Sequence, residues 1–64
     1  MKWLDIESII EALEEKFPDE DVINIRFTEL KKKVLSLEKF DDDEKRCNEK
    51  ILEAIQVAWI EERS

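Results

Sequence analysis

The sequence predicts an all-α protein, with one compact three-helix domain that spans residues 1–64. Three segments each carry apolar residues three and four positions apart, which is the spacing of one helix face. Each segment also contains, at or near its start, a short polar side chain that can cap a helix. A chain of 64 residues buries only about 60% of its unfolded surface, so we expect regular helices to supply most of the packing.

The first helix is predicted at residues 5–17. Asp5 is its candidate cap, and Leu4 is placed to pack as a hydrophobic staple against the fourth helical position. Pro18 ends the helix, because the residue before a proline disfavours the helical conformation. Trp3 is expected to cover the end of the bundle. The buried face of this helix should consist of Ile6, Ile9, Ile10, Leu13 and Phe17.

The second helix is predicted at residues 28–39, after a connection at 19–27 that contains a few residues of strand or none. Thr28 is the candidate cap, and Glu29 complements the positive end of the helix dipole. The run Lys31–Lys33 is the only basic run and is interpreted as a solvated face. The inward side chains should be Leu30, Val34 and Leu37.

The third helix, predicted at residues 45–62, should be central because it has the strongest apolar periodicity in the chain. Asn48 can accept a hydrogen bond from the free amides of a first helical turn. Val57 and Ile60 lie away from the main stripe, which indicates contacts on both flanks. Phe40 should anchor the preceding loop in the core. The main stripe consists of Ile51, Leu52, Ile55, Ala58 and Trp59.

The composition is strongly acidic, because 18 acidic residues face 11 basic ones and give a net charge of −7. Such a charge repels nucleic-acid phosphates and anionic lipids, and it attracts cations and basic protein surfaces. We therefore expect neither nucleic-acid nor membrane partners. Histidine and glycine are absent, which removes the commonest general base and any glycine-rich phosphate loop. The composition thus argues against an enzyme.

The cysteine content and the distribution of apolar residues predict a cytoplasmic protein. The single cysteine, Cys47, cannot form an internal disulfide, which suits a reducing compartment. No apolar run is long enough to span a bilayer, and the first residues have no signal-peptide pattern. A helix start would favour the thiolate of Cys47, but the surrounding acids oppose it. We therefore expect an incidental thiol.

Acidic residues crowd together at two places. Residues 41–44 are four consecutive acids, but they lack the alternate ligands and the glycine of a calcium loop. A looser carboxylate site would bind a cation weakly and with poor selectivity. On the first helix, Glu7, Glu11 and Glu15 follow one another at four-residue spacing, and each pair costs roughly 0.2–0.5 kcal/mol. This crowding indicates a partner or a cation, or simply a solvated helix face.

Short motifs recur in a recognisable order along the chain. Residues 40–59 contain FDDD, then NEKILEAI, then a tryptophan followed by acids. The upstream motifs are KW at Lys2–Trp3, EAL at Glu11–Leu13, PD at Pro18–Asp19, RFT at Arg26–Thr28 and LE at Leu37–Glu38. Together they resemble the IscX family, small acidic proteins of the bacterial iron–sulfur cluster assembly system. The resemblance covers nearly the whole chain without apparent gaps.

This resemblance implies a winged-helix-like (helix-turn-helix-like) scaffold and a non-enzymatic adaptor or regulator, which we expect to be monomeric. Its acidic surface would bind a basic surface of an IscS-type cysteine desulfurase, and ferredoxin is a further implied partner. Weak, carboxylate-bound ferrous iron (Fe2+) is also implied, and no organic cofactor is expected. The candidate metal ligands are Asp41, Asp42, Asp43, Glu7 and Glu11. The candidate partner-binding residues are Asp5, Glu11, Asp19, Asp21, Glu29, Glu38, Asp41, Asp42, Asp43, Glu49, Glu53, Glu61 and Glu62.

The alternative function is a generic acidic protein-interaction domain, either a nucleic-acid mimic or a carrier. A carrier needs a serine at a helix start, whereas Ser36 is expected in the middle of the second helix. The helix-turn-helix outline does not indicate DNA binding, because phosphates would be repelled by this charge. Within the adaptor function, the resemblance is compatible with activation or inhibition of the desulfurase and with iron donation or iron sensing.

Overall fold

The computed structural model describes residues 1–64 and contains helices and turns but no β-strand. Helix α1 spans Ile6–Lys16, α2 spans Phe27–Leu35 and α3 spans Glu49–Arg63, with a single 3-10 turn at Glu44–Arg46 before α3. The all-α, three-helix prediction is confirmed. Because no strand is present, the winged-helix detail of that prediction is not confirmed. None of the three helices combines the length and the apolar character needed to cross a membrane.

The core lies between the three helices, and α3 packs against both α1 and α2. Ile55 and Trp59 of α3 are completely buried, which confirms this helix as the central one. No polar or charged side chain is buried. The inward faces predicted from the apolar spacing are confirmed at most positions, because helix periodicity fixes which side chains share a face. The twelve buried residues are Trp3, Ile9, Ile10, Leu13, Val22, Ile25, Leu30, Val34, Leu37, Leu52, Ile55 and Trp59.

The start of α1 differs from the prediction. Asp5 occupies the cap position, but its side chain forms no cap hydrogen bond. Its carboxylate instead accepts from the backbone N–H of Lys2 at 2.8 Å, and the Asp5 N–H donates to the Lys2 carbonyl at 2.9 Å. This tight turn sends Trp3 into the core and leaves Leu4 80% exposed. The predicted cap bond and the predicted Leu4 staple are therefore wrong.

Helix α2 begins and ends earlier than predicted. It starts at Phe27, so Thr28 lies inside the helix and is not its cap. It ends at Leu35, where the hydroxyl of Ser36 donates to the Lys33 carbonyl at 2.6 Å. Ser36 is thus at the end of the helix and not in its middle. The turn that follows α2 places the side chain of Leu37 in the core, so Leu37 is buried although it lies beyond the end of the helix.

The start of α3 confirms one cap and corrects one boundary. The side-chain oxygen of Asn48 accepts from the backbone N–H of Ile51 at 2.9 Å, as predicted. Residues 45–48 do not belong to the helix, because Asp43 instead caps the preceding 3-10 turn by accepting from the Lys45 N–H at 2.9 Å. Phe40 packs edge-on against Trp3 with ring centroids 4.7 Å apart, which confirms that it anchors this loop.

Candidate functional site

The aspartate turn, defined as Asp41–Asp43, holds the first residues of the chain. The carboxylate of Asp42 accepts from the backbone N–H of Trp3 at 3.1 Å and from the N–H of Asp43 at 2.7 Å, and it is only 10% exposed. The indole N–H of Trp3 donates to the Asp43 carbonyl at 2.9 Å. Asp41 lies 3.1 Å from the α-amino group of Met1. These acids therefore already have partners inside the molecule.

The charges of the aspartate turn are stabilised by the same contacts. The backbone hydrogen bond from Trp3 holds the pKa of Asp42 below its ordinary value. The hydrogen bond from the Met1 α-amino group, together with the charge of Lys2, lowers the pKa of Asp41 in the same way. Hydrogen bonds to the ionised form of a carboxyl favour that form. At neutral pH both carboxylates are ionised, and both accept hydrogen bonds from groups of the protein itself. Their first role is therefore to stabilise the fold.

A second set of polar contacts joins the C-terminal end of α1 to the C-terminal end of α3. The carboxylate of Glu14 accepts from the indole N–H of Trp59 at 2.7 Å and from the guanidinium of Arg63 at 3.0 Å. Both hydrogen bonds lower the pKa of Glu14, and the Arg63 bond is the larger cause. Arg63 also donates to the backbone carbonyls of Phe17 and Pro18 at 3.1 and 3.0 Å. The sequence does not predict this cluster, because no local pattern marks residues that are 45 or more positions apart.

An open groove between α1 and α3 gathers four glutamates that have no cationic partner. We call it the acidic groove. Its floor is apolar and is formed by Ile6, Ile10 and Ala58. None of the glutamates takes part in an ion pair, in contrast to Glu14 one turn further along α1. The four are Glu7, Glu11, Glu61 and Glu62. A groove of this kind presents negative charge around an apolar centre, which suits a basic protein surface better than a small molecule.

The predicted partner-binding residues are therefore divided among several places. Glu11, Glu61 and Glu62 meet in the acidic groove, and Glu53 lies on the neighbouring exposed face of α3. Asp41, Asp42 and Asp43 form the aspartate turn at the start of the chain. The remaining ones are exposed and lie apart in sequence, and they are Asp5, Asp19, Asp21, Glu29, Glu38 and Glu49.

The candidate metal ligands also separate into two places. Glu7 and Glu11 line the acidic groove, whereas Asp41–Asp43 lie in the aspartate turn. Carboxylate oxygens are suitable donors for divalent cations. However, the structure contains no group of three or more acidic, histidine or cysteine side chains placed together to hold a metal ion. The donor chemistry fits ferrous iron, but this arrangement offers no closed coordination site.

The basic run of α2 is not a uniformly solvated face. Lys33 forms an ion pair with Glu20 at 3.0 Å, and its ammonium lies 4.3 Å from the centroid of the Phe17 ring. Lys31 is close enough to Cys47 for its charge to lower the pKa of that thiol. Burial is the larger effect and raises the pKa of Cys47 overall, which favours the thiol over the thiolate.

The sequence is similar to a protein family and to a relative over nearly its whole length. Residues 1–64 match a protein-family model described as iron–sulphur cluster assembly. The sequence is also 46% identical over 63 residues to an uncharacterized protein of Pseudomonas aeruginosa. That match covers 98% of this chain and 96% of the relative. Both comparisons therefore extend over the whole fold, including the acidic groove and the aspartate turn.

Proposed function

Because this chain belongs to the IscX family of iron–sulphur cluster assembly proteins, we propose that it is a non-enzymatic adaptor of the IscS-type cysteine desulfurase. It binds a basic surface of that enzyme through the acidic groove and thereby modulates the delivery of sulfur. Membership of the family indicates the process, iron–sulphur cluster assembly. The resemblance of the sequence motifs to IscX indicates the partner, the cysteine desulfurase. The acidic groove is the observation that supports our choice of the surface that binds the desulfurase.

The charges of the groove support this choice. Four carboxylates lie around Ile6, Ile10 and Ala58 without any ion pair within the protein. Crowded like charges destabilise a folded protein unless a cation or a basic partner offsets them. A complementary basic patch would relieve the repulsion and would steer the encounter over long distances. The apolar floor adds a contact that is not screened by salt.

The aspartate turn is a weaker docking surface than the groove. The carboxylate of Asp42 is nearly buried and is occupied by two backbone N–H groups. Reversing the charge of Asp42 would therefore disturb the position of Trp3 as well as any partner contact. A loss of binding in such a variant would not distinguish docking from misfolding. The acids of the groove are free of this complication.

We expect a groove variant to lose affinity for the desulfurase by at least about tenfold, or roughly 1.4 kcal/mol, at low salt. The substitutions are Glu7→Gln, Glu11→Gln, Glu61→Gln and Glu62→Gln. The physical reason is the loss of complementary charge, so the affinity of the parent should also fall steeply as salt is raised. Titration calorimetry at two salt concentrations measures both effects. Shifts in the NMR spectrum of the labelled parent should concentrate in α1 and α3.

A matched control removes the same number of charges at exposed positions outside the groove. Its substitutions are Glu15→Gln, Asp19→Asn, Glu38→Gln and Glu44→Gln. Asp19 and Glu38 belong to the predicted partner-binding residues but lie outside the groove, so this control also tests whether they contribute to binding. This control should retain the affinity of the parent within about threefold, well under the tenfold that corresponds to 1.4 kcal/mol. Equal losses in both variants would mean that only net charge matters, and no loss in either would place the interface elsewhere. The same pair, titrated with ferredoxin, tests whether this second implied partner uses the groove.

Weak binding of ferrous iron is the second part of the proposed function. With carboxylates as the only donors and no cluster of three in place, we expect affinity that is micromolar or looser. Anaerobic titration of labelled protein with ferrous ion should broaden the NMR signals around Glu7 and Glu11 more than those around Asp42. The groove variant should lose this broadening. An unchanged spectrum in excess ferrous ion would contradict iron binding by this protein.

A further inference from the structure

The outer flank of α3 carries an apolar surface that the fold buries only in part. Val57 is 47% exposed, and Ile60 is half-buried one turn later on the same helix. Ile23, in the connection between α1 and α2, is 70% exposed. Ile23 and Ile60 line one shallow hollow. We call Ile23, Val57 and Ile60 the apolar patch.

The patch is held in a fixed arrangement by a hydrogen-bonding side chain of α3. The amide of Gln56 donates to the backbone carbonyl of Val22 at 3.0 Å and to that of Ile23 at 3.4 Å. In the same connection, the side chain of Asp21 binds both the backbone and the side-chain nitrogen of Asn24. Val22 is buried, and it anchors the segment from below. Ile23 is therefore presented beside α3 by a turn with several internal bonds.

The groups that surround the patch are mainly acidic. Asp21 borders the hollow, and Glu53 and Glu61 border the outer face of α3, and none of the three forms an ion pair. The guanidinium of Arg63 is turned inward toward Glu14 and the carbonyls of the α1–α2 connection. Lys50 remains as one unpaired cation near this face. An apolar centre with an acidic border is complementary to a partner whose apolar surface is bordered by basic residues.

We propose that the apolar patch binds a basic amphipathic helix of a partner protein. Apolar side chains of that helix, spaced three and four residues apart, pack between Ile23 and α3 in the manner of helix-in-groove recognition. Its lysine or arginine side chains face Asp21, Glu53 and Glu61. A second copy of this chain is disfavoured as the occupant because it would bring the same carboxylates together. An anionic lipid surface is disfavoured for the same reason.

This site goes beyond the proposed function because Ile23 and Ile60 lie outside the acidic groove, although the two surfaces meet on α3, where Val57 lines a hollow with Ala58 and Glu61. The groove uses Ala58, Glu61 and Glu62, whereas the patch uses Val57 and Ile60. Successive helical residues are rotated by about 100°, so Ile60 and the groove residue Ala58 point about 160° apart around the helix axis. Two binding surfaces on one small domain would allow it to hold two protein segments at once. The patch can be tested without the desulfurase.

The probe is a synthetic peptide of about 14 residues, or about four helical turns, with leucines at every third or fourth position and lysines elsewhere. Titration of labelled protein should shift the NMR signals of the patch and of the Gln56 side chain. The variant Ile23→Ser with Val57→Ser should weaken binding by at least about tenfold. Leu4→Ser is the matched control, since Leu4 is also exposed but lies outside the patch, and it should bind as the parent does.

Other results would overturn the proposal. A control peptide of the same composition, with the leucines distributed around the helix, should bind much more weakly, and equal binding would show mere charge attraction. Undiminished binding by the Ile23→Ser and Val57→Ser variant would place the site elsewhere, as would a loss confined to the four-glutamine groove variant. Sedimentation of the parent alone should show no self-association. Self-association that the patch variant abolishes would make the patch an interface between copies.

Discussion

Replacing Trp59 with alanine should remove much or all of the stability of the fold at 25 °C. The side chain is completely buried between the helices, and truncation of a buried tryptophan costs about 3–5 kcal/mol. Folded domains are stable by roughly 0.05–0.15 kcal/mol per residue, or roughly 3–10 kcal/mol for a chain of this size. The variant therefore loses much or all of its stability. Far-UV circular dichroism and thermal denaturation measure the loss of helix.

The control for this substitution is Val57→Ala, on the exposed side of the same helix. It removes a side chain that is about half exposed, so the thermal transition should remain close to that of the parent. A Trp59→Ala protein with the same melting temperature as the parent would show that α3 is not the centre of the core. The two variants together separate the effect of burial from that of position on the helix.

The milder variant Trp59→Phe tests the hydrogen bond to Glu14 and gives the pH dependence. It keeps an aromatic ring in the core but lacks the indole N–H that donates to the Glu14 carboxylate. Because the folded-state pKa of Glu14 is lowered, its contribution to stability is present above its ordinary pKa and disappears as the pH falls through the folded value. The stability difference between parent and variant should therefore be larger at pH 7 than at pH 2–3. Urea denaturation across that range measures it, and a constant difference would mean that the bond does not depend on the charge of Glu14.

Replacing Trp3 with alanine should cost about 3–5 kcal/mol as well, but through a different part of the molecule. Trp3 is 1% exposed, packs against Phe40, and binds the aspartate turn through both its backbone and its indole N–H. Its loss should free the first residues and the segment 37–43, while the contact between α1 and α3 persists. Urea denaturation, followed by the fluorescence of Trp59, measures the loss of stability. Hydrogen exchange should accelerate most at the amides of Phe40 and Asp41.

Leu4→Ala is the control for this prediction, because Leu4 follows Trp3 directly and is largely exposed. It should unfold at nearly the parent's urea concentration. Asp42→Asn should have an intermediate effect, since it retains an acceptor for the Trp3 N–H but removes the charge. If Trp3→Ala has the same urea midpoint as the parent, then the aspartate turn and the first residues do not contribute to the fold as described.

The distinction between the aspartate turn and the acidic groove was not available from the sequence. Asp41–Asp43 stand out as the densest acidic run, whereas the groove glutamates are divided between residues 7–11 and 61–62. The structure brings the second set together because α1 and α3 pack side by side. It also shows that the first set is occupied by the backbone of Trp3 and by Met1. The density of acidic residues along the sequence indicates where negative charge is concentrated. It does not indicate which carboxylates have no partner within the protein.

The number of helices, the faces that they bury and the cap at Asn48 can all be predicted from the amino-acid sequence. These features are local, because the 3.6-residue repeat fixes which side chains share a face and a cap bond spans only three residues. The same locality explains why the apolar spacing predicts Ile55 and Trp59 in the core, where both are completely buried. Nothing about the position of the other helices is needed to predict them.

The burial of Trp3 instead of Leu4 and the roles of Glu14 and Asp42 follow from the tertiary structure alone. Each depends on a partner far along the chain, since Trp3 and Asp42 are 39 positions apart and Glu14 and Trp59 are 45 apart. Local preference favours a staple at Leu4, but the gain from burying a tryptophan against Phe40 is larger. Contacts of this kind are set by how the helices pack, because packing determines which distant side chains meet.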